Sequence, residues 1–219
     1  MAQLDVIAKL VTIVTGVGLL IAFFQYRHSV RIAEKSERRA AIELAARQCT
    51  HFGCDLLGKV ATLHEGITTS GCNFLAHSKL VKSDTEVKAD LSAVTPEDRE
   101  KLQPHIKGIN EILNSLEGFS IPFAADVADN GVGFIECGRS FVQIFEKNMP
   151  LYQFWDLMDY YRSTQLLYWR WRKQIAQEDE DRKYAQTAKD FVLMTAKLVG
   201  RRKSRFSRWL ADWLERSQG

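Results

Sequence analysis

A chain of 219 residues with 46% apolar and 26% charged residues is an ordinary folded composition, which excludes a disordered tail or low-complexity polymer. The formal net charge of +3 is too small to name a partner by itself, so only the distribution of charge carries information. Four unevenly spaced cysteines, Cys49, Cys54, Cys72 and Cys137, fit reduced thiols and not a secreted disulfide framework.

The first element is LVTIVTGVGLLIAFFQY, uncharged from Leu10 to Tyr26. At a rise of about 1.5 Å per residue, it covers most of a hydrocarbon core about 30 Å thick. Only Lys9 precedes it, whereas Arg27, Arg31, Lys35, Arg38 and Arg39 follow, and no small-residue cleavage site intervenes. That pattern predicts an uncleaved transmembrane helix over 10–26, with a short extracytoplasmic N-terminus at 1–9 and the remaining chain in the cytoplasm. Ala8, Thr12, Thr15, Gly16 and Ala22 share one face of this helix, and small residues at such spacing let helices approach closely in lipid. Arg27, Arg31 and Lys35 fall where anionic headgroups would lie.

No Gly or Pro occurs between Arg27 and Gly53, so one helix is expected to run from the membrane to about His64. The stretch from Gly66 to Val94 is the least regular part, and its Gly66, Gly71 and small polar residues predict at least one loop within it. Thr95-Pro96-Glu97-Asp98 is a helix start, and Pro104 separates that helix from the next. Ile106, Ile109, Ile112, Leu113 and Leu116 mark the next helix, which Pro122 is expected to interrupt before a turn at ADNGVG. A helix from Phe134 should close at Asn148 and Pro150, and LYQFWDLMDYYRSTQLLYWRWRKQ should form one long buried helix. EDED at 178–181 reads as a connection. Tyr184, Ala188, Phe191, Val192, Thr195 and Leu198 then make an amphipathic helix capped by Gly200. With no period-two alternation, the prediction is an all-α cytoplasmic helical bundle over 27–200.

The last segment, 201–219, is basic and amphipathic. Phe206, Trp209 and Trp213 lie on one stripe, and Arg201, Arg202, Lys203, Arg205 and Arg208 crowd its first turns. Such a helix suits a membrane interface or a partner's groove.

The chemistry-bearing residues are few. Cys49, His51 and Cys54 lack the spacing of a zinc site, so no metal is expected. Arg99 and His105 form an R-x5-H pair that resembles the signature of HEPN ribonucleases, in which Arg steadies the phosphate and His moves the proton. There is no phosphate loop, nucleophile elbow or dinucleotide fingerprint. No cofactor and no enzymatic activity are expected, and nucleic acid is not an expected partner.

Ile112, Leu113, Asn114, Leu116 and Glu117, then Asn130 and Gly131, then Phe141, Ile144 and Phe145 together resemble a bacterial domain-of-unknown-function family of single-pass membrane proteins with a helical cytoplasmic domain. Asn114 and Glu117, at i,i+3 on an otherwise apolar helix, are expected to make interhelical hydrogen bonds. In plan the chain is also similar to the pore-forming membrane accessory protein of RNA-targeting CRISPR systems. Together these features lead to the expectation of a self-assembling protein of the bacterial inner membrane. It would form homo-oligomers, and a pore-forming or membrane-perturbing role in stress or antiphage defence follows from the likeness. The alternatives are a membrane-anchored HEPN-like ribonuclease using Arg99 and His105, or a passive scaffold for a protein partner encoded nearby.

Overall fold

In the computed structural model, the backbone is described for residues 2–83 and 86–216, and side chains for 21–83, 86–191 and 193–195. The chain divides into two compact units, Met1–Trp169 and Arg170–Gly219. The described residues are overwhelmingly helical, as the sequence pattern predicts.

The breaker-free stretch forms α1 (Ala2–His51), which passes through one π-helical turn, Phe52–Leu56, into α2 (Leu57–Thr69). The expected single helix thus continues past His64 to Thr69, with one irregularity. A π turn inserts one residue and re-phases a helix. Here it turns both Phe52 and Leu56 into the core, ahead of Val60, Leu63 and Ile67 at helical spacing.

The least regular region holds loops, as expected, and ordered elements between them. It holds the short α3 (Phe74–His77) and an antiparallel hairpin, β1 (Lys79–Lys82) with β2 (Val87–Asp90), in which Lys79 pairs with Asp90 and Lys82 with Val87. The all-α class holds, with this one short hairpin added to it. Strands this short carry almost no periodicity of their own. Their pairing is fixed by a neighbour: Lys82 Nζ meets Glu146 at 2.5 Å, and the Ala89 amide donates to the Gln153 side chain.

Thr95 opens α4 (Pro96–Leu102) with a capping box. Its hydroxyl accepts from the Asp98 amide at 3.1 Å, while its own amide donates to the Asp98 carboxylate at 3.2 Å. A 3-10 turn containing Pro104 leads into α5 (Ile106–Ala124), which buries Ile109, Ile112, Leu113, Leu116, Phe119 and Phe123. Pro122 does not interrupt α5. It sits in the final turn, four residues beyond the exposed Gly118, where its missing amide costs the helix a single hydrogen bond.

The turn expected at ADNGVG lies just before it, at Ala125–Asp126, and Asn130–Gly133 of that segment is helical. Asp126, at φ 56°, ends α5, and Asp129 caps α6 (Asn130–Gly133) through the Val132 amide at 2.9 Å. Gly131 and Gly133 are helical. Gly133 is required by contact, since a Cβ there would collide with the Phe123 ring. A second π turn, Phe134–Gly138, continues as α7 (Arg139–Phe154).

Pro150 lies inside α7, with the helix extending beyond it, so the expected closure at Asn148 and Pro150 is corrected. The chain breaks later, at Trp155–Tyr161, inside the stretch expected to be one helix. Asp156 adopts φ 53° there, and a 3-10 turn spans Met158–Tyr160. The reversal brings Tyr152 and Tyr161 edge to face, with ring centroids 5.3 Å apart. Then α8 (Arg162–Arg216) runs without interruption through the acidic 178–181 and through Gly200. Glu178 and Asp179 precede Arg182 and Lys183 by four residues, the spacing at which opposite charges support a helix. A single glycine costs a long helix only about 1 kcal/mol. Neither a connection nor a C-cap is present.

The core of the first unit is largely aromatic. Phe52, Phe119 and Phe141 cluster, with Phe52 and Phe119 centroids 4.8 Å apart, and Phe145 lies 4.4 Å from Tyr168. Among the described residues, no helix is long and apolar enough to cross a membrane. Most of the 10–26 segment lies outside the residues whose side chains are described.

Candidate functional site

Every residue of α1 from 21 to 40 is exposed. Among them Ile21 is 53% and Phe24 67% exposed, with Phe23, Tyr26 and Ile32 similarly uncovered. Apolar residues exposed all round a helix have no protein cover within one chain, and they lead directly into the uncharged segment N-terminal to them. Ala22 of the small-residue face is exposed here; Ala8, Thr12, Thr15 and Gly16 lie outside the described side chains. Arg27, Arg31 and Lys35 are all exposed on the following turns, and the Arg27 guanidinium lies 5.8 Å over the Phe23 ring. This helix therefore carries a band of apolar and aromatic side chains followed by a basic collar.

A second uncovered face lies on α8. Tyr184 is 67% and Phe191 70% exposed, and Leu193 and Met194 are also exposed. Arg201, Arg202, Lys203, Arg205, Arg208, Phe206, Trp209 and Trp213 lie outside the described side chains.

Asn114 and Glu117 bind across to the segment that begins α8. Asn114 Oδ1 accepts from the Tyr161 hydroxyl at 3.0 Å. Glu117 accepts from the Ser163 amide at 3.1 Å, the Thr164 amide at 2.9 Å and the Thr164 hydroxyl at 2.7 Å. A carboxylate from α5 thus caps the start of α8, satisfying amide donors with a charge that the helix dipole favours.

Arg99 and His105 face different neighbours. The Arg99 guanidinium lies 5.5 Å over the Phe154 ring, whereas His105 Nε2 is 3.4 Å from the Ser70 hydroxyl and its ring packs at Gly66. His105 lines an open groove of about 560 Å³ between α2 and α5, where Lys59 bridges Asp55 at 3.0 Å and Glu111 at 3.3 Å. Arg99 is not part of that lining.

Two clusters escaped the sequence reading. The Asp98 carboxylate is buried and accepts from His77 Nδ1 at 2.8 Å, the Thr95 hydroxyl at 2.7 Å and the Asn73 amide at 2.9 Å. Burial pushes its pKa up, but these hydrogen bonds overcome it and hold the carboxyl well below the usual carboxylate range. Asp98 thereby ties the loop before α3 to the start of α4. The signal was present in the capping box, but the distant partners His77 and Asn73 were not readable from it. The second cluster is a thiol pair. Cys49 on α1, whose thiol donates to the Gly133 carbonyl at 3.9 Å, interacts with Cys137 in the second π turn, and their interaction lowers the Cys49 pKa and raises that of Cys137. Among the described residues, no group of three or more His, Cys, Asp or Glu side chains is placed to hold a metal.

The best-organised polar groups among the described residues, Asp98 and Glu117, spend their hydrogen bonds on other parts of the fold. Compared with known proteins, the chain matches no family model, no curated protein and no solved structure.

Proposed function

We propose that this chain is a membrane-anchored, self-assembling helical protein of the bacterial inner membrane, with its N-terminus outside and its body in the cytoplasm. The observation that carries the reading is the apolar band on α1, from Ile21 to Tyr26, uncovered on every side and continuous with an uncharged segment reaching back to Leu10. The basic collar of Arg27, Arg31 and Lys35 orients the helix and meets the anionic headgroups. A lone spanning helix with a small-residue face finds its partner in another protomer, so the cytoplasmic bodies gather the spanning helices into an assembly. Such an assembly acts on the bilayer itself, and permeabilising a membrane is what a bacterial stress or antiphage effector would require of it.

The test is membrane fractionation with a leakage assay. Full-length protein should stay with membranes through a high-salt wash, and deletion of residues 1–26 should release it. Expression of the full chain should admit a membrane-impermeant dye. Full-length protein recovered in the soluble fraction would overturn the anchor. Membrane retention without leakage would leave a scaffold in place of a permeabilising assembly.

A further inference from the structure

Cys49 and Cys137 belong to two helical segments that run side by side in the same direction. The Asp129 amide donates to the Ala41 carbonyl at 3.0 Å, and eight residues further along each segment (41 to 49, 129 to 137) stand the two cysteines. The register is held at that end too. Cys49 Sγ lies 3.9 Å from the Gly133 carbonyl oxygen, and a helical carbonyl points along its helix toward the next turn, here the one carrying Cys137. One turn before each cysteine is a small buried residue, Ala45 on α1 and Gly133 on the other segment. Small residues there let the two backbones approach to the Cα separation of about 4.4–6.8 Å that a disulfide requires. Cys49 is partly exposed and Cys137 buried. Their interaction lowers the Cys49 pKa against burial and the Glu136 carboxylate, so the more accessible member is also the readier thiolate.

We propose that Cys49 and Cys137 form a peroxide-oxidisable pair within one chain, Cys49 reacting first and Cys137 resolving it into a disulfide that ties α1 to the second π turn. The Cys49 thiolate attacks one oxygen of hydrogen peroxide, the O–O bond breaks, and the departing hydroxide takes a proton to leave as water. Cys49 is then a sulfenic acid. The Cys137 sulfur attacks the Cys49 sulfur, the S–O bond breaks, and the sulfenic oxygen leaves with the Cys137 proton as a second water. The two sulfurs together lose two electrons, and the peroxide gains them. A thiol reductant reverses the change by exchange. The inference is independent of the membrane reading, since both cysteines lie in the first unit.

The test treats reduced full-length protein in detergent with a small excess of hydrogen peroxide, blocks remaining thiols with N-ethylmaleimide, and reads each cysteine by peptide mass spectrometry without reduction. The expected result is a Cys49–Cys137 linked peptide in most chains, at the mass of one chain on a non-reducing denaturing gel, and its loss on adding dithiothreitol. Accessibility alone would favour Cys54, which is exposed, so oxidation of Cys49 ahead of Cys54 is the discriminating order. In Cys137→Ser the link should vanish and Cys49 should carry a sulfenic acid that dimedone traps, with helicity by circular dichroism unchanged. In Cys49→Ser, Cys137 should stay a thiol. Wild-type Cys49 that remains a thiol, or that goes on to sulfinic acid without linking, overturns the pair. A link that appears only between two chains overturns its place within one. Oxidation of Cys137 in Cys49→Ser overturns the order of reaction.

Discussion

At the residue scale, the polar groups that matter most to the fold work at a distance from where they stand in the sequence. Glu117 gives its carboxylate to two amides and a hydroxyl at the start of α8, so truncating it strands donors that have no other cap. Glu117→Ala is expected to lower unfolding stability by about 2 kcal/mol in a denaturant titration, and Glu117→Gln to lose less because it keeps one acceptor oxygen. His64 predicts a pH dependence. Burial lowers its pKa below the ordinary 6.5, with the Asn148 hydrogen bond at 3.2 Å opposing only in part. The unfolded chain then takes up a proton that the folded chain refuses, so stability present above 6.5 declines as pH falls below it. His64→Gln should flatten that decline in thermal melts between about pH 7 and pH 5, a window set by the imidazole's ordinary titration. An unchanged slope would count against a buried neutral His64.

At the element scale, the helices written in long runs of helix formers were legible, and their irregularities were not. Thr95-Pro96 announced α4 because a cap is local chemistry. The break at Asp156 gave no sign, because an aspartate enters the left-handed region without the glycine that usually marks it. Pro122 and Pro150 misled in the other direction. Both sit within described helices, since one missing amide near a helix end, or in a well-packed helix, is outweighed by the burial of neighbours such as Phe123 and Leu151. The hairpin could not be read at all, its pairing being held by Glu146 and Gln153 of α7. The candidate surfaces fared differently: the exposed band on α1 and the exposed face of α8 were visible as composition, whereas the Asp98 and Cys49–Cys137 clusters join residues far apart in sequence. Gly133, read as a turn former, is a packing residue against Phe123. Gly133→Ala should therefore destabilise by about 1–3 kcal/mol through overpacking, measured by thermal or chemical unfolding, where a turn glycine in open space would show little change.

At the scale of the whole molecule, the first unit has an aromatic core, and among the described residues runs of exposed large apolar side chains occur at Ile21–Tyr26 of α1 and at Tyr184–Met194 of α8, with others scattered singly, such as Ile135 and Tyr160. Each run has basic residues beside its apolar surface, at Arg27–Lys35 and at 201–208. The proposed membrane anchoring rests on the first of these faces. The mass of the full-length protein solubilised in detergent tests this account most directly. A particle containing at least two 25.0 kDa chains after subtraction of bound detergent is the predicted result, and a single 25.0 kDa chain at micromolar concentration would contradict it.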